Sequence, residues 1–196
     1  MIVVLGAALI ASALLLFFYN GYQSELAGEE AENLLSSIEA VIEEKTHAPV
    51  QDENGDEEAA YEELSAELPI TVIDGNECVG YIEIPLLELR LPVMAEANYS
   101  KLKISPCRQT GSSRTDDLVI AAHNYSTHFG ELNRLSTGDT VTFTDMDGIE
   151  NTYEVAAIEK VDPYSVEYVI NSGCDLVLYT CTESGAERVV VFCNRA

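Results

Sequence analysis

Near its C-terminal end the chain runs Leu176-Val177-Leu178-Tyr179-Thr180-Cys181 and, after a short polar stretch, reaches Arg188. An apolar, strand-like run that ends in cysteine presents a nucleophile. Its backbone is fixed while the thiol reaches the mouth of the sheet, and a neighbouring guanidinium favours the thiolate and holds a carbonyl oxygen. A second apolar run, Val119-Ile120-Ala121-Ala122, ends in His123. A thiol, an imidazole and a guanidinium at three strand ends are the parts of an acyl transfer: nucleophile, proton carrier and donor to the developing oxyanion. Cys181, His123 and Arg188 are assigned those roles. The hydroxyl of Thr180 and the backbone N–H of Thr182 are further candidates to steady the oxyanion or the peptide. His128 is the rival imidazole, but His123 is preferred because it ends a strand.

Strand alternation supports this placement. Val177, Tyr179 and Cys181 fall on one face of their strand, and Arg188, Val190 and Phe192 on one face of the next. Antiparallel pairing across the turn Thr182 to Glu187, which contains Gly185, brings Cys181 near Arg188. From Pro69 onward the sequence reads as short strands: Ile70 to Ile73, Cys78 to Ile84, Glu88 to Val93, Asp117 to Ala122, Thr140 to Thr144, Thr152 to Val161, Asp175 to Thr180 and Arg188 to Cys193. Tyr99 to Ile104 and Phe129 to Leu135 read as short helices or turns, and Asp147-Gly148 as a hairpin turn with both residues at positive φ. The domain is therefore mainly β, a barrel or a sandwich.

The 196 residues divide into an anchor over 1–20, a juxtamembrane helix and acidic tether over 21–68, and a catalytic domain over 69–196. Ile2 to Tyr19 carries no charge and spans ~27 Å as a helix, close to the roughly 30 Å of a bilayer core. A cleaved signal peptide is the alternative, but no small-x-small site follows the run. No Lys or Arg precedes it, so charge does not orient the chain. Leu26, Ala31, Leu34, Leu35, Ile38, Val41 and Ile42 have nearly helical spacing. Thr46 to Glu67, acidic and poor in large apolar residues, reads as a solvated spacer. With 34 acidic against 10 basic residues and a formal charge of -24, nucleic acid is an unsuitable partner. A calcium site at Asp52 to Glu58 or Asp145 to Gly148 has little support in spacing, and no metal site is assigned. Of the five cysteines, an odd number, at least one is left unpaired within the chain, which suits a catalytic thiol.

The Leu-Tyr-Thr-Cys run, the step to Arg188 and the upstream His123 together resemble the sortases, membrane-anchored cysteine transpeptidases of Gram-positive bacteria. Leu178, Thr180 and Cys181 match the family's Thr-Leu-x-Thr-Cys pattern, with Val177 at the first position. Ala122 stands where the family has glycine before its histidine, and His123-Asn124-Tyr125 through His128-Phe129-Gly130-Glu131-Leu132 is similar to the segment that follows. The resemblance covers Gly80 to Arg195. It implies a closed eight-stranded sortase barrel with its site in a groove, a single-pass membrane protein with an extracellular catalytic domain, and no cofactor. It further implies surface proteins with a Leu-Pro-x-Thr-Gly-like sorting signal as substrates, a thioacyl-enzyme intermediate, and a peptidoglycan-precursor or pilin amine as acceptor.

The chain has no Asp-Pro-aromatic lid motif before the barrel and no second apolar span. Asp162 to Gly173 is short for the helical insertion of another class. These features favour a compact wall-anchoring form over a pilin-joining one. Caspase-like proteases share the order of histidine and cysteine, but their Gln-Ala-Cys-x-Gly signature is missing; papain-like enzymes put cysteine first; L,D-transpeptidases carry Gly-Cys. The non-enzymatic alternative is a tethered β-domain that binds the wall, with Cys181 buried.

Overall fold

The computed structural model describes residues 2–47 and 65–196. The spacer's acidic cluster Asp52 to Glu58 lies outside them. Nine strands follow a long helix α1 (Ile2–His47): β1 (Thr71–Ile73), β2 (Asn76–Ile84), β3 (Leu89–Met94), β4 (Cys107–Thr110), β5 (Leu118–Ala121), β6 (Thr140–Asp145), β7 (Glu150–Val161), β8 (Leu176–Cys181) and β9 (Arg188–Arg195). A short helix α2 (Val166–Ile170) precedes β8. The sheet order is β1-β2-β3-β4-β5-β8-β9-β7-β6, and β6 pairs back onto β2. Eight strands thus close a barrel, and β1 is an extra edge on the first residues of β2.

The barrel count agrees with the family's architecture, but its membership differs from the strand-by-strand expectation. Ile70 to Ile73 stands outside the closed ring, and β4, which was not expected, completes it. The two 3-10 turns Lys101–Lys103 and Leu132–Arg134 fall where short helices were expected. At the β6–β7 hairpin only Gly148 has positive φ. The buried Asp145 carboxylate accepts the N–H groups of Asp147 and Ile149 at 2.9 and 3.0 Å, so the turn is held by a side chain and needs one left-handed residue.

Alternation along the strands makes two layers. Leu118, Ile120, Leu176, Leu178, Val189 and Val191 belong to the barrel interior, whereas Val119, Val177, Val190 and Phe192 pack outside, under Val169 of α2. Closure depends on Gly80, which sits at a bulge in β2 with φ +147, opposite Asp145 of β6. A Cβ there would lie 2.0 Å from the Thr144 carbonyl oxygen. Gly80→Ala is expected to destabilise the fold by roughly 1–3 kcal/mol or more. Chemical denaturation reads the loss, and an unchanged midpoint would contradict it.

The C-terminal half of α1 packs on the barrel. Ala27, Ala31, Leu34, Leu35 and Ile38 are buried at helical spacing, while Leu26 is exposed. Leu34 and Ile38 cover Cys78, Met94, Cys107 and Met146, and full burial of Ile38 contributes roughly 2–3 kcal/mol. Near the end of α1, Lys45 Nζ donates to the Met146 carbonyl at 2.9 Å and pairs with Asp147. Arg114 binds Asp145 at 2.8 Å and Asp147 at 2.7 Å and donates to the Ser65 carbonyl at 3.3 Å. The two aspartates of the weak calcium reading are therefore engaged by cations. Among the described residues no three His, Cys, Asp or Glu side chains gather as a metal site. Lys45 and Ser65, near the ends that flank residues 48–64, both meet the β6–β7 hairpin corner, Ser65 through Arg114.

Candidate active site

β5 and β8 run parallel with Ala121 opposite Tyr179, and two residues further on each chain come His123 and Cys181. The junction is held by hydrogen bonds. The Ala122 N–H donates to the Tyr179 carbonyl at 3.2 Å, and the Thr180 hydroxyl donates to the Ala122 carbonyl at 2.9 Å. β8 and β9 pair antiparallel with Cys181 opposite Arg188, the register inferred from alternation. All three side chains border one cavity of about 360 Å³, lined also by Tyr99, Val161, Val166, Val169 and Tyr179. The Asp162 to Gly173 connection and the region after Tyr99 therefore both supply its walls.

A second, more polar groove of about 580 Å³ meets Cys181 from the other side and is bordered by Asn124, Lys160, Thr182 and Glu187. Cys181 is half-buried and lies where the two meet. The arrangement suits a two-substrate reaction, with an apolar seat on one side of the thiol and a polar approach on the other.

His123 stacks on Tyr125 with ring centroids 4.8 Å apart and meets the edge of Tyr99 at 6.0 Å. Its Nε2 is shielded and has no hydrogen-bond partner among the described residues. Burial, reinforced by the Lys103 charge, lowers its pKa, so the imidazole is neutral at neutral pH and available to accept a proton. Asn124 Nδ2 donates to the Thr182 carbonyl at 3.2 Å, tying the histidine loop to the turn after the cysteine. Asn124 and Tyr125 were read only as part of the resemblance and Tyr99 as the start of a short helix or turn; none was given an individual role at the site. The aromatic residue two places after His123 was the available signal.

Arg188 Nη1 donates to the carbonyls of Gly185 at 3.2 Å and Glu187 at 3.1 Å. These bonds fix the guanidinium, and among the described residues its Nε and Nη2 have no partner. The two threonine candidates have other work. The Thr180 side chain is buried and its proton goes to Ala122, and the Thr182 N–H closes the hairpin on the Glu187 carbonyl at 3.0 Å. As placed, neither is a free oxyanion donor, because local hydrogen bonds already use both.

His128 is fully buried and neither ring nitrogen has a well-formed hydrogen bond among the described residues, although the backbones at Ile104 and Ala27 act in the sense that raises its pKa. Burial and then the neighbouring His123 push its pKa down to about 4, so it stays neutral and lies beneath the surface that substrate reaches. All five thiols are free. Burial pushes Cys78 up to about 11 and Cys107 and Cys193 to about 12, which makes them poor nucleophiles. Cys174 is half-exposed and packs against the outer cluster under α2.

A sortase-domain family profile matches residues 82–196, more than half of the chain, and spans His123, Cys181 and Arg188. The chain belongs to the sortase family. A curated relative, sortase A of Bacillus anthracis, is 26% identical over 96% of this chain and 88% of its own. The solved sortase C1 of Streptococcus agalactiae superposes with a TM-score of 0.56 at 22% identity, covering 84% of this chain and 89% of that one. Sortase C of Clostridium perfringens, solved with the C-terminal cell wall sorting motif, gives 0.54 at 22% identity over 86% and 90%. These two likenesses concern the fold. This sortase thus shares the transpeptidase family and barrel of both named classes, A and C. At its N-terminal end α1 is long and apolar enough to cross a membrane, and its side chains described from Val4 to Tyr19 are exposed.

Proposed function

We propose that this sortase is a cysteine transpeptidase in which Cys181, His123 and Arg188 cut a sorting signal and pass the severed protein to an amine. The carrying observation is the meeting of parallel β5–β8 with antiparallel β8–β9, which brings a thiol, an imidazole and a guanidinium to one cavity. Neutral His123 takes the thiol proton as sulfur bonds to the scissile carbonyl carbon. The free nitrogens of Arg188 donate to the oxygen on which charge develops. The imidazolium then gives its proton to the leaving amine as the C–N bond breaks, which leaves a thioacyl enzyme. An incoming amine attacks the thioester, His123 removes its proton, and the new amide releases Cys181 as thiol.

The apolar cavity suits the hydrophobic part of a Leu-Pro-x-Thr-Gly-like signal, and the polar groove suits the acceptor, a peptidoglycan-precursor amine or a pilin lysine. Support comes from family membership and from a relative solved with a sorting motif. The division of the chain into anchor, acidic segment and catalytic domain, with the domain outside a single-pass anchor, belongs to the same reading. Incubation with sorting-signal peptides, followed by mass spectrometry of the adduct on Cys181, tests the reaction. Failure to form any adduct with a folded protein would count against it.

Arg188→Lys is expected to lower peptide turnover by roughly 10² or more, because a mobile ammonium cannot reproduce a fork anchored on two carbonyls. Alkylation of Cys181 by a small reagent should fall less, since it needs the thiolate but no oxyanion donor. Near-normal peptide turnover in the folded variant would refute the fork.

A further inference from the structure

The histidine loop is bolted to the membrane-proximal part of α1. Ser24 Oγ lies 3.1 Å from Ser126 Oγ and 3.2 Å from Thr127 Oγ1, and the Thr127 hydroxyl donates to the Ser24 carbonyl at 2.8 Å. Gly28 permits this approach, because a Cβ there would meet Thr127 Cγ2 at 3.0 Å. Tyr19 ends the apolar stretch only ~8 Å along the axis from Ser24. The loop that carries His123 therefore stands at nearly the height where the apolar stretch ends. The opposite end of the barrel, at the β6–β7 hairpin, is held by Lys45, about 32 Å along the helix from Ser24.

Around that height lies an exposed aromatic and basic patch. Tyr19 and Tyr22 are each 60% exposed and Tyr99 is 72% exposed. Lys103 Nζ sits 4.8 Å from the centroid of the Tyr99 ring. Tyr99 touches His123, which stacks on Tyr125, so the patch continues directly into the mouth of the groove. The ionisation of Tyr125 is disfavoured by burial and then by both Tyr99 and Tyr19, consistent with its place between them. Charge adds a second observation. In a chain of formal charge -24, every lysine and arginine among the described residues has a carboxylate partner except Lys103, Lys160 and Arg188. Lys160 and Arg188 border the two cavities at the cysteine, whereas Lys103 lies on the aromatic patch.

We propose that Tyr19, Tyr22, Tyr99 and Lys103 seat the mouth of the active-site groove in the phosphate-bearing headgroup layer of the bilayer that receives α1. Tyrosines favour that layer because a ring can lie among acyl ends while its hydroxyl stays hydrated, and an unpaired ammonium finds its counterion in the phosphates. The helix cannot swing the groove away without breaking the Ser24 contacts and the packing of Ala27, Ala31 and Ile38. This inference rests on the reading that Val4 to Tyr19 enters a membrane.

The chain has no tryptophan, so one substitution supplies a single reporter. The full chain carrying Tyr99→Trp is reconstituted in phosphatidylcholine–phosphatidylglycerol vesicles whose lipids are brominated near the headgroup end of the acyl chain. Glu44→Trp, exposed on α1 about 38 Å beyond Tyr19, is the distant control. Bromolipid is expected to cut the emission of the Tyr99→Trp variant by about twofold and to leave that of the Glu44→Trp variant nearly unchanged. Lys103→Glu in the Tyr99→Trp background should weaken the quenching. Flotation of the protein with vesicles, but with equal quenching at both positions, overturns the seating while the anchor stands. Failure to float overturns the anchor and the seating together.

Discussion

Cys181→Ala yields no thioacyl adduct and no transfer product, a loss on the order of 10⁴ or more in turnover, because the reaction has no other atom on which to carry the acyl group. The barrel should persist, since the side chain is half-buried at a strand end and the hydrogen bonds that hold the junction come from Thr180, Ala122 and Asn124. Single changes at Cys78, Cys107, Cys174 and Cys193 should retain the adduct. Intact-mass spectra with a sorting-signal peptide give the comparison. An adduct of normal yield on a folded Cys181→Ala protein would move the nucleophile elsewhere.

His123→Ala is expected to lower turnover by about 10² or more, the usual scale for a positioned acid or base. His128→Ala should leave turnover per folded molecule much closer to normal and register in stability instead, because it empties a buried site. The pH response separates the two as well. His128 has a folded pKa of about 4 against an ordinary 6.5, so the unfolded chain binds the extra proton first. Its contribution is complete above pH 6.5 and is lost as pH falls toward 4, so His128→Phe should flatten that part of the stability profile. His123 is also shifted down by burial, so acid first charges the imidazole that must accept the thiol proton. A fall in turnover for His128→Ala larger than that for His123→Ala, in folded proteins, would reverse their assignments.

The face of β8 that bears Cys181 was readable because alternation is strict and the neighbouring layer is apolar on both sides. One register then placed Arg188. β4 was less readable: Cys107-Arg108-Gln109-Thr110 is short and mostly polar, lies between Pro106 and Gly111, and gains its strand geometry from pairing with β5. The Thr180 hydroxyl and the Thr182 backbone N–H were suitable donors by position, but donor capacity is used once, and nothing local in sequence says that Ala122 and Glu187 take it. The apolar spacing of Ala31, Leu34, Leu35 and Ile38 gave the helix beyond the apolar run, but not the surface it covers. Its buried stripe, Ala27, Ala31, Leu34, Leu35 and Ile38, is flanked by Ser24 and Gly28, which meet Thr127 about a hundred residues away.

The buried stripe of α1 also protects the chemistry of two thiols. Leu34 and Ile38 shut Cys78 and Cys107 away from water, and that confinement holds their pKa values near 11 and 12. A chain severed after His47 and parted from its helix would bare Met94 and Met146 beside them. Exposed to an oxidant, the relaxed thiols would form sulfenic acids and intermolecular disulfides, and the methionines sulfoxides. Loss of the helix would thus start a redox clock at the surface it leaves bare.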